Sequence, residues 1–136
     1  MRRTPVPIAV GVAVAALALA GCGGGDEEAT PTDTGTTTTP AVGSTLQGSV
    51  GPGFVISLTT QDGQDVTTLA PGSYTIEVDD MADIHNFHLT GPGVDESTEV
   101  GEEEKQTFQV DLQPGTYTFV CDPHSSSMNG SFEVTG

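Results

Sequence analysis

The sequence predicts an all-β sandwich or barrel, and three features carry that expectation. From about Ser44 onward, apolar and polar residues alternate in short runs of strand length. Glycine and proline, 18 and 9 among 136 residues, punctuate the chain at turn-like spacing. Helical periodicity is weak throughout. A chain of this length has room for one small domain.

Strands are expected over residues 46–50, 54–60, 66–69, 74–78, 85–90, 107–112, 116–121 and 131–135. Gln61-Asp62-Gly63 separates the second from the third, and Pro71-Gly72 opens the fourth. Gly91-Pro92-Gly93 closes the fifth, and Pro114-Gly115 turns the sixth into the seventh. Pro71-Gly72-Ser73-Tyr74-Thr75-Ile76 is echoed by Pro114-Gly115-Thr116-Tyr117-Thr118-Phe119. Turn-into-strand chemistry that favours the same residues twice accounts for the echo better than duplication does.

A period of two sets the faces. Tyr117, Phe119 and Cys121 share one side of their strand, so Cys121 ends it facing the core. Over 85–90 the same rule groups His85 with Phe87 and Leu89, and sets His88 with Asn86 and Thr90 on the solvent side.

The chain before this domain reads as an export segment and a linker. Arg2 and Arg3 precede an apolar stretch over residues 8–20, which at 13 residues is shorter than the ~20 a spanning helix needs. It ends in Leu19-Ala20-Gly21-Cys22, which resembles a bacterial lipobox. Residues 1–21 are thus expected to be a signal peptide, and Cys22 to carry the lipid that anchors the protein to the outer face of the cell membrane. Residues 22–43 hold that cysteine and a Gly, Thr, Pro, Asp and Glu linker with almost no large apolar side chain. As a flexible coil the linker spans roughly 25 Å. Residues 44–136 form the folded domain.

Charge excludes one class of partner. The formal net charge is −16, and removal of residues 1–21 leaves 19 acidic residues against Lys105, a net −18. Such a surface repels nucleic acid and draws in basic proteins at low salt. Glu102-Glu103-Glu104 reads as a solvated turn, with binding of a cationic partner as its alternative.

With Cys22 lipidated, Cys121 is a solitary thiol in an oxidising compartment, where a soft metal ion would protect it. Cys121-Asp122-Pro123-His124-Ser125-Ser126-Ser127-Met128 places a thiolate, an imidazole and a thioether within eight positions after a strand. Two imidazoles, a thiolate and a weak axial thioether make up a copper electron-transfer site. The missing imidazole is expected from His85, which strand parity turns inward. His88 is read as a solvated strand histidine, with a ligand role as its alternative. Met128 has an alternative as a core methionine, and Met81, in Asp79-Asp80-Met81-Ala82-Asp83, is read as a loop residue.

On the His85-Asn86 pair, the strand ending Tyr117-Thr118-Phe119-Val120-Cys121 and the Cys-Asp-Pro-His-(x)₃-Met loop closing into Gly130-Ser131-Phe132-Glu133-Val134, residues 44–136 resemble the cupredoxins, the small blue copper proteins. The resemblance implies a Greek-key β-sandwich or barrel of about 7–8 strands. It also implies one type 1 copper ion held by His85, Cys121, His124 and Met128. Asn86 would then stitch the two ligand segments together, and the exposed edge of His124 would be the port for electrons.

The function expected is single-electron transfer between redox partners by a tethered, extracytoplasmic, monomeric blue copper protein. A basic cytochrome or oxidase domain is the partner expected. The alternative is a carrier or scavenger that delivers or sequesters copper in the envelope with the same ligands. Independent catalysis is not expected, because three histidines cannot furnish copper centres beyond one type 1 site.

Overall fold

The computed structural model describes residues 39–136. The signal segment, Cys22 and nearly all of the linker lie outside the described residues. Alternation and turn chemistry produce nine strands there: β1 (Thr45–Val50), β2 (Ile56–Thr60), β3 (Thr68–Leu69), β4 (Gly72–Asp80), β5 (His88–Gly91), β6 (Val94–Ser97), β7 (Glu104–Leu112), β8 (Gly115–Val120) and β9 (Asn129–Val134). One short 3₁₀ turn, Asp122–His124, interrupts them.

They form two mixed sheets, one ordered β2-β1-β4-β7 and the other β3-β9-β8-β5-β6. The pairs β1–β4 and β3–β9 are parallel, and the remaining ladders are antiparallel. The all-β expectation is met, with the mixed sheets of a sandwich.

Alternation fills the core between the sheets. In β4 the inward residues Tyr74, Ile76 and Val78 are buried, and in β7 so are Phe108, Val110 and Leu112. From the other sheet come Leu89, Tyr117, Phe119 and Phe132, each buried. Phe87 stacks on Phe119 at 5.7 Å between ring centroids and tilts against Phe108 of the facing sheet at 6.4 Å. Burial of each such ring stabilises the fold by about 1.5–3 kcal/mol.

The expected strands are shifted by one to three residues at their ends, and β7 starts at Glu104, inside the run read as a turn; three differences bear on the site and its surroundings. The second strand starts at Ile56, because Gly51-Pro52-Gly53 sends Phe54 and Val55 out of the ladder to exposed positions. The fifth starts at His88, so His85, Asn86 and Phe87 precede it, and all three are buried. Strand β6 has no counterpart in the alternation pattern, since Val94 is its single buried residue and Asp95, Glu96 and Ser97 are exposed on the sheet edge.

Candidate metal centre

Two chain segments meet at one end of the sandwich. The first leaves β4 and is anchored by a buried carboxylate. Asp80 accepts a hydrogen bond from the Thr98 hydroxyl at 2.7 Å, and that oxygen accepts one from the Phe87 amide at 2.8 Å. His85 follows a turn in which its amide donates to the Ala82 carbonyl, at 3.1 Å. Its ring is fully buried.

The second segment leaves β8 at Cys121. The Cys121 amide donates to the Met128 carbonyl at 3.0 Å, which closes the loop at its base. Inside it, the His124 carbonyl accepts from the amides of Ser127 and Met128 at 3.0 and 2.9 Å. Pro123, whose fixed φ suits a 3₁₀ turn, sets the short arc that brings His124 back over Cys121.

The segments converge on three donor atoms. Cys121 Sγ stands 3.5 Å from His85 Nδ1 and 3.5 Å from His124 Nδ1, and the two nitrogens are 3.2 Å apart. Three ligands arranged trigonally around an ion about 2.0–2.3 Å away lie roughly 3.5 Å from one another, so the spacing fits a single ion. The donor types fit copper: one thiolate, two imidazoles, no carboxylate. Cys121 is a free, buried thiol, as an ion-bound sulfur requires.

Met128 is fully buried at the far end of the loop, within the same apolar cluster as Cys121. A core position and an axial position are therefore compatible for it. Met81 is exposed beside Asp79, Asp80, Glu103 and Glu104.

Asn86 and Asp122 join the segments. The Asn86 amide nitrogen donates to Asp122 Oδ2 at 2.8 Å, and the Asp122 backbone N–H donates to Asn86 Oδ1 at 2.8 Å. His88 stands apart from the three donors. Its Nδ1 faces both Asp122 oxygens at 3.0 and 3.1 Å, and its Nε2 faces Asp95 Oδ1 at 2.9 Å. The hydrogen bond to Asp122 holds the His88 pKa above the ordinary imidazole value; partial burial opposes this and Asp95 adds to it. The same bond to His88 holds the Asp122 carboxyl below its ordinary range.

Sequence reasoning missed Phe54. Its ring meets His124 edge-on at 4.9 Å and His85 at 5.5 Å, although it is 63% exposed. A large aromatic next to Pro52-Gly53 was the available signal, obscured by its apparent place in a strand. Asp80 was missed as well, because an acidic stretch reads as a solvated loop.

The family pattern described as copper binding proteins, plastocyanin/azurin family, matches residues 57–135. The chain belongs to this family. It is a cupredoxin, and its donor set fits one type 1 copper ion. Among solved structures it is similar to rusticyanin from Thiobacillus ferrooxidans, at 20% identity and a TM-score of 0.47 over 67% of this chain and 76% of that one. A methionine-to-glutamine variant of rusticyanin gives 18% identity and a TM-score of 0.50 over the same shares. At these identities the likeness concerns the fold alone. No match is found among curated protein sequences.

Proposed function

We propose that this cupredoxin carries single electrons outside the cytoplasm, with His85, Cys121, His124 and Met128 as the residues that would hold its copper, Met128 the most weakly. The observation that carries the reading is the convergence of Cys121 Sγ and two Nδ1 atoms at 3.2–3.5 Å in a family that binds copper. Bound copper supplies a one-electron couple between Cu(I) and Cu(II).

The chain's own residues supply the rest. Buried His85, Cys121 and Met128 exclude water from the donors. The hydrogen-bonded loop and the Asn86–Asp122 stitch fix their positions, so little rearrangement accompanies a change of charge. His124 alone among the three donors is part-exposed, which makes its ring the route for an electron. Phe54 lies against that ring, and Val55 and Ile84, the residues next to Phe54 and His85, are exposed too. We read these apolar side chains as the docking rim for a partner. The acidic surface then steers a basic redox protein, such as a cytochrome or oxidase domain, toward it.

The lipid on Cys22 and the linker complete the reading. They tether the domain to the outer face of the membrane and let it search for its partner within the reach of the linker. The chain acts as a monomer and has no catalysis of its own.

Electrochemistry of the copper-loaded protein tests the reading. The expected result is a fast, reversible one-electron couple with no loss of metal over repeated cycles, and a reaction rate with a basic partner that falls as salt rises. Rapid transfer of copper to a chelator or an apo-partner, without a reversible couple, would instead identify a copper carrier built on the same ligands.

A further inference from the structure

We propose that His88 is a positioning residue of the metal centre: held as an imidazolium between Asp95 and Asp122, it fixes the carboxylate that ties the His85 segment to the Cys121 loop. The inference rests on the ligand assignment above and extends it to a side chain that binds no metal.

The protonation state follows from geometry. Both ring nitrogens of His88 lie within hydrogen-bond distance of carboxylate oxygens, Nδ1 at 3.0 and 3.1 Å from Asp122 and Nε2 at 2.9 Å from Asp95. Carboxylates only accept, and a neutral imidazole has one N–H, so both contacts are satisfied only by the doubly protonated ring. The raised pKa of His88 agrees. Of the charged groups on the elements packed against His88, Asp95 of β6 and Asp122 after β8 face the ring. Glu96 is paired with Leu89 and turns to the other side of the sheet, and the β8 partner of His88 is Val120.

Position gives this ion pair its consequence. Asp95 is 83% exposed and Asp122 51%, so the charges alone contribute little to stability. Yet Asp122 directly follows Cys121, and Asn86 directly follows His85. The Asp122 carboxylate accepts from Asn86 on one side and from His88 on the other. Without His88 that half-exposed carboxylate is free to turn toward water, Asn86 loses its acceptor, and both ligand segments lose a common constraint. His88 is also a cation bonded to the carboxylate that directly follows Cys121, in a chain of net charge −16, and added positive charge favours the reduced ion.

The test uses the protein loaded with Cu(II) alone, as wild type, H88L, H88R and D95N. Visible spectra and reduction potentials are recorded from about pH 5 to 9, a window around the ordinary imidazole value. In the wild type the potential is expected to step down as rising pH removes the His88 proton. H88L is expected to lie below wild type at low pH, to lack the step, and to shift the thiolate band. H88R keeps a cation with several donors and is expected to restore the band and the low-pH potential with no step. D95N is expected to retain the step with its midpoint moved to lower pH. Nitrogen-15 spectra of the metal-free protein give an independent readout: both His88 ring nitrogens protonated at about pH 6, below the ordinary imidazole value.

A neutral His88 under those conditions overturns the proposal. So does an H88L variant whose band, potential and pH profile match the wild type. A blue wild type indifferent to His88 thus overturns this inference alone, whereas a colourless copper-loaded wild type overturns the ligand assignment and the inference together.

Discussion

The two ends of the sandwich treat their polar atoms in opposite ways. At one end, β4 and β8 start from the same chemistry, a Pro-Gly turn followed by a tyrosine. Gly72 and Gly115 have φ of +145° and +147°, and a Cβ on Gly115 would meet Pro92 Cγ at 2.7 Å. The Tyr74 hydroxyl donates to the Ala70 carbonyl at 3.0 Å. That of Tyr117 donates to the Pro92 carbonyl at 2.8 Å and accepts from the Gln113 amide at 2.9 Å. At the other end, β4 leads to His85 and β8 to Cys121. There, two Nδ1 atoms face each other across a thiol, and His85 Nε2 is buried with no hydrogen-bond partner. Nε2 lies on the far side of the ring from Nδ1, so its missing partner is a cost to folding, while the place for a ligand is offered by the two Nδ1 atoms and the thiol. The turn end is built for stability and the ligand end for metal, on strands that begin almost identically.

The contrast breaks if damage at the turn end alters colour, or if damage at the ligand end unfolds the protein. The largest stability loss is expected from Gly91→Ala, whose Cβ would sit 2.2 Å from Tyr117 Cδ1 in a fully buried ring. It should cost about 1–3 kcal/mol or more by urea denaturation while the folded fraction keeps its copper spectrum. Tyr117→Phe comes next: it leaves the Gln113 amide and the Pro92 carbonyl without their partner and should cost about 1–3 kcal/mol. Tyr74→Phe, which removes a single bond, should cost about 0.5–1.5 kcal/mol, so the two echoed tyrosines separate in the same denaturation series.

At the ligand end, Met128→Leu nearly conserves buried volume and should cost less than about 1.5 kcal/mol. It should keep the colour and move the reduction potential, because the axial bond is weak; loss of all copper binding would remove Met128 from the axial role only if the variant stays folded. Smallest is the pH effect from His88. Its folded pKa is raised, so its contribution is complete below the unfolded value of about 6.5 and fades as pH rises through the folded value. The metal-free wild type should therefore lose slightly more stability than H88L between neutral and mildly alkaline pH.

Much of this was legible in the sequence, for different physical reasons in different places. Cys121 was placed inward by alternation along β8, and the structure shows Tyr117, Phe119 and Cys121 buried together. His85 was placed inward by the same rule, although it lies outside any strand. Its burial comes from the turn after Ala82 and from the Asp80–Thr98–Phe87 hydrogen bonds, which bury Asn86 and Phe87 on either face alike. Strand β6 was invisible because an edge strand with three exposed polar residues has no period to read. Phe54 and the His88–Asp122 contact were invisible because they depend on segments far apart in sequence, and the Asp95–His88 contact because it spans the β5–β6 hairpin that the alternation did not show.

The central claim is that Cys121 and the two imidazoles hold one copper ion. The direct measurement is the visible spectrum of the purified protein after addition of one equivalent of Cu(II), beside that of Cys121→Ser and His85→Ala. The account predicts an intense blue thiolate-to-copper band in the wild type that vanishes in Cys121→Ser and is lost or strongly altered in His85→Ala. A colourless wild type, or a band that survives either substitution unchanged, would contradict it.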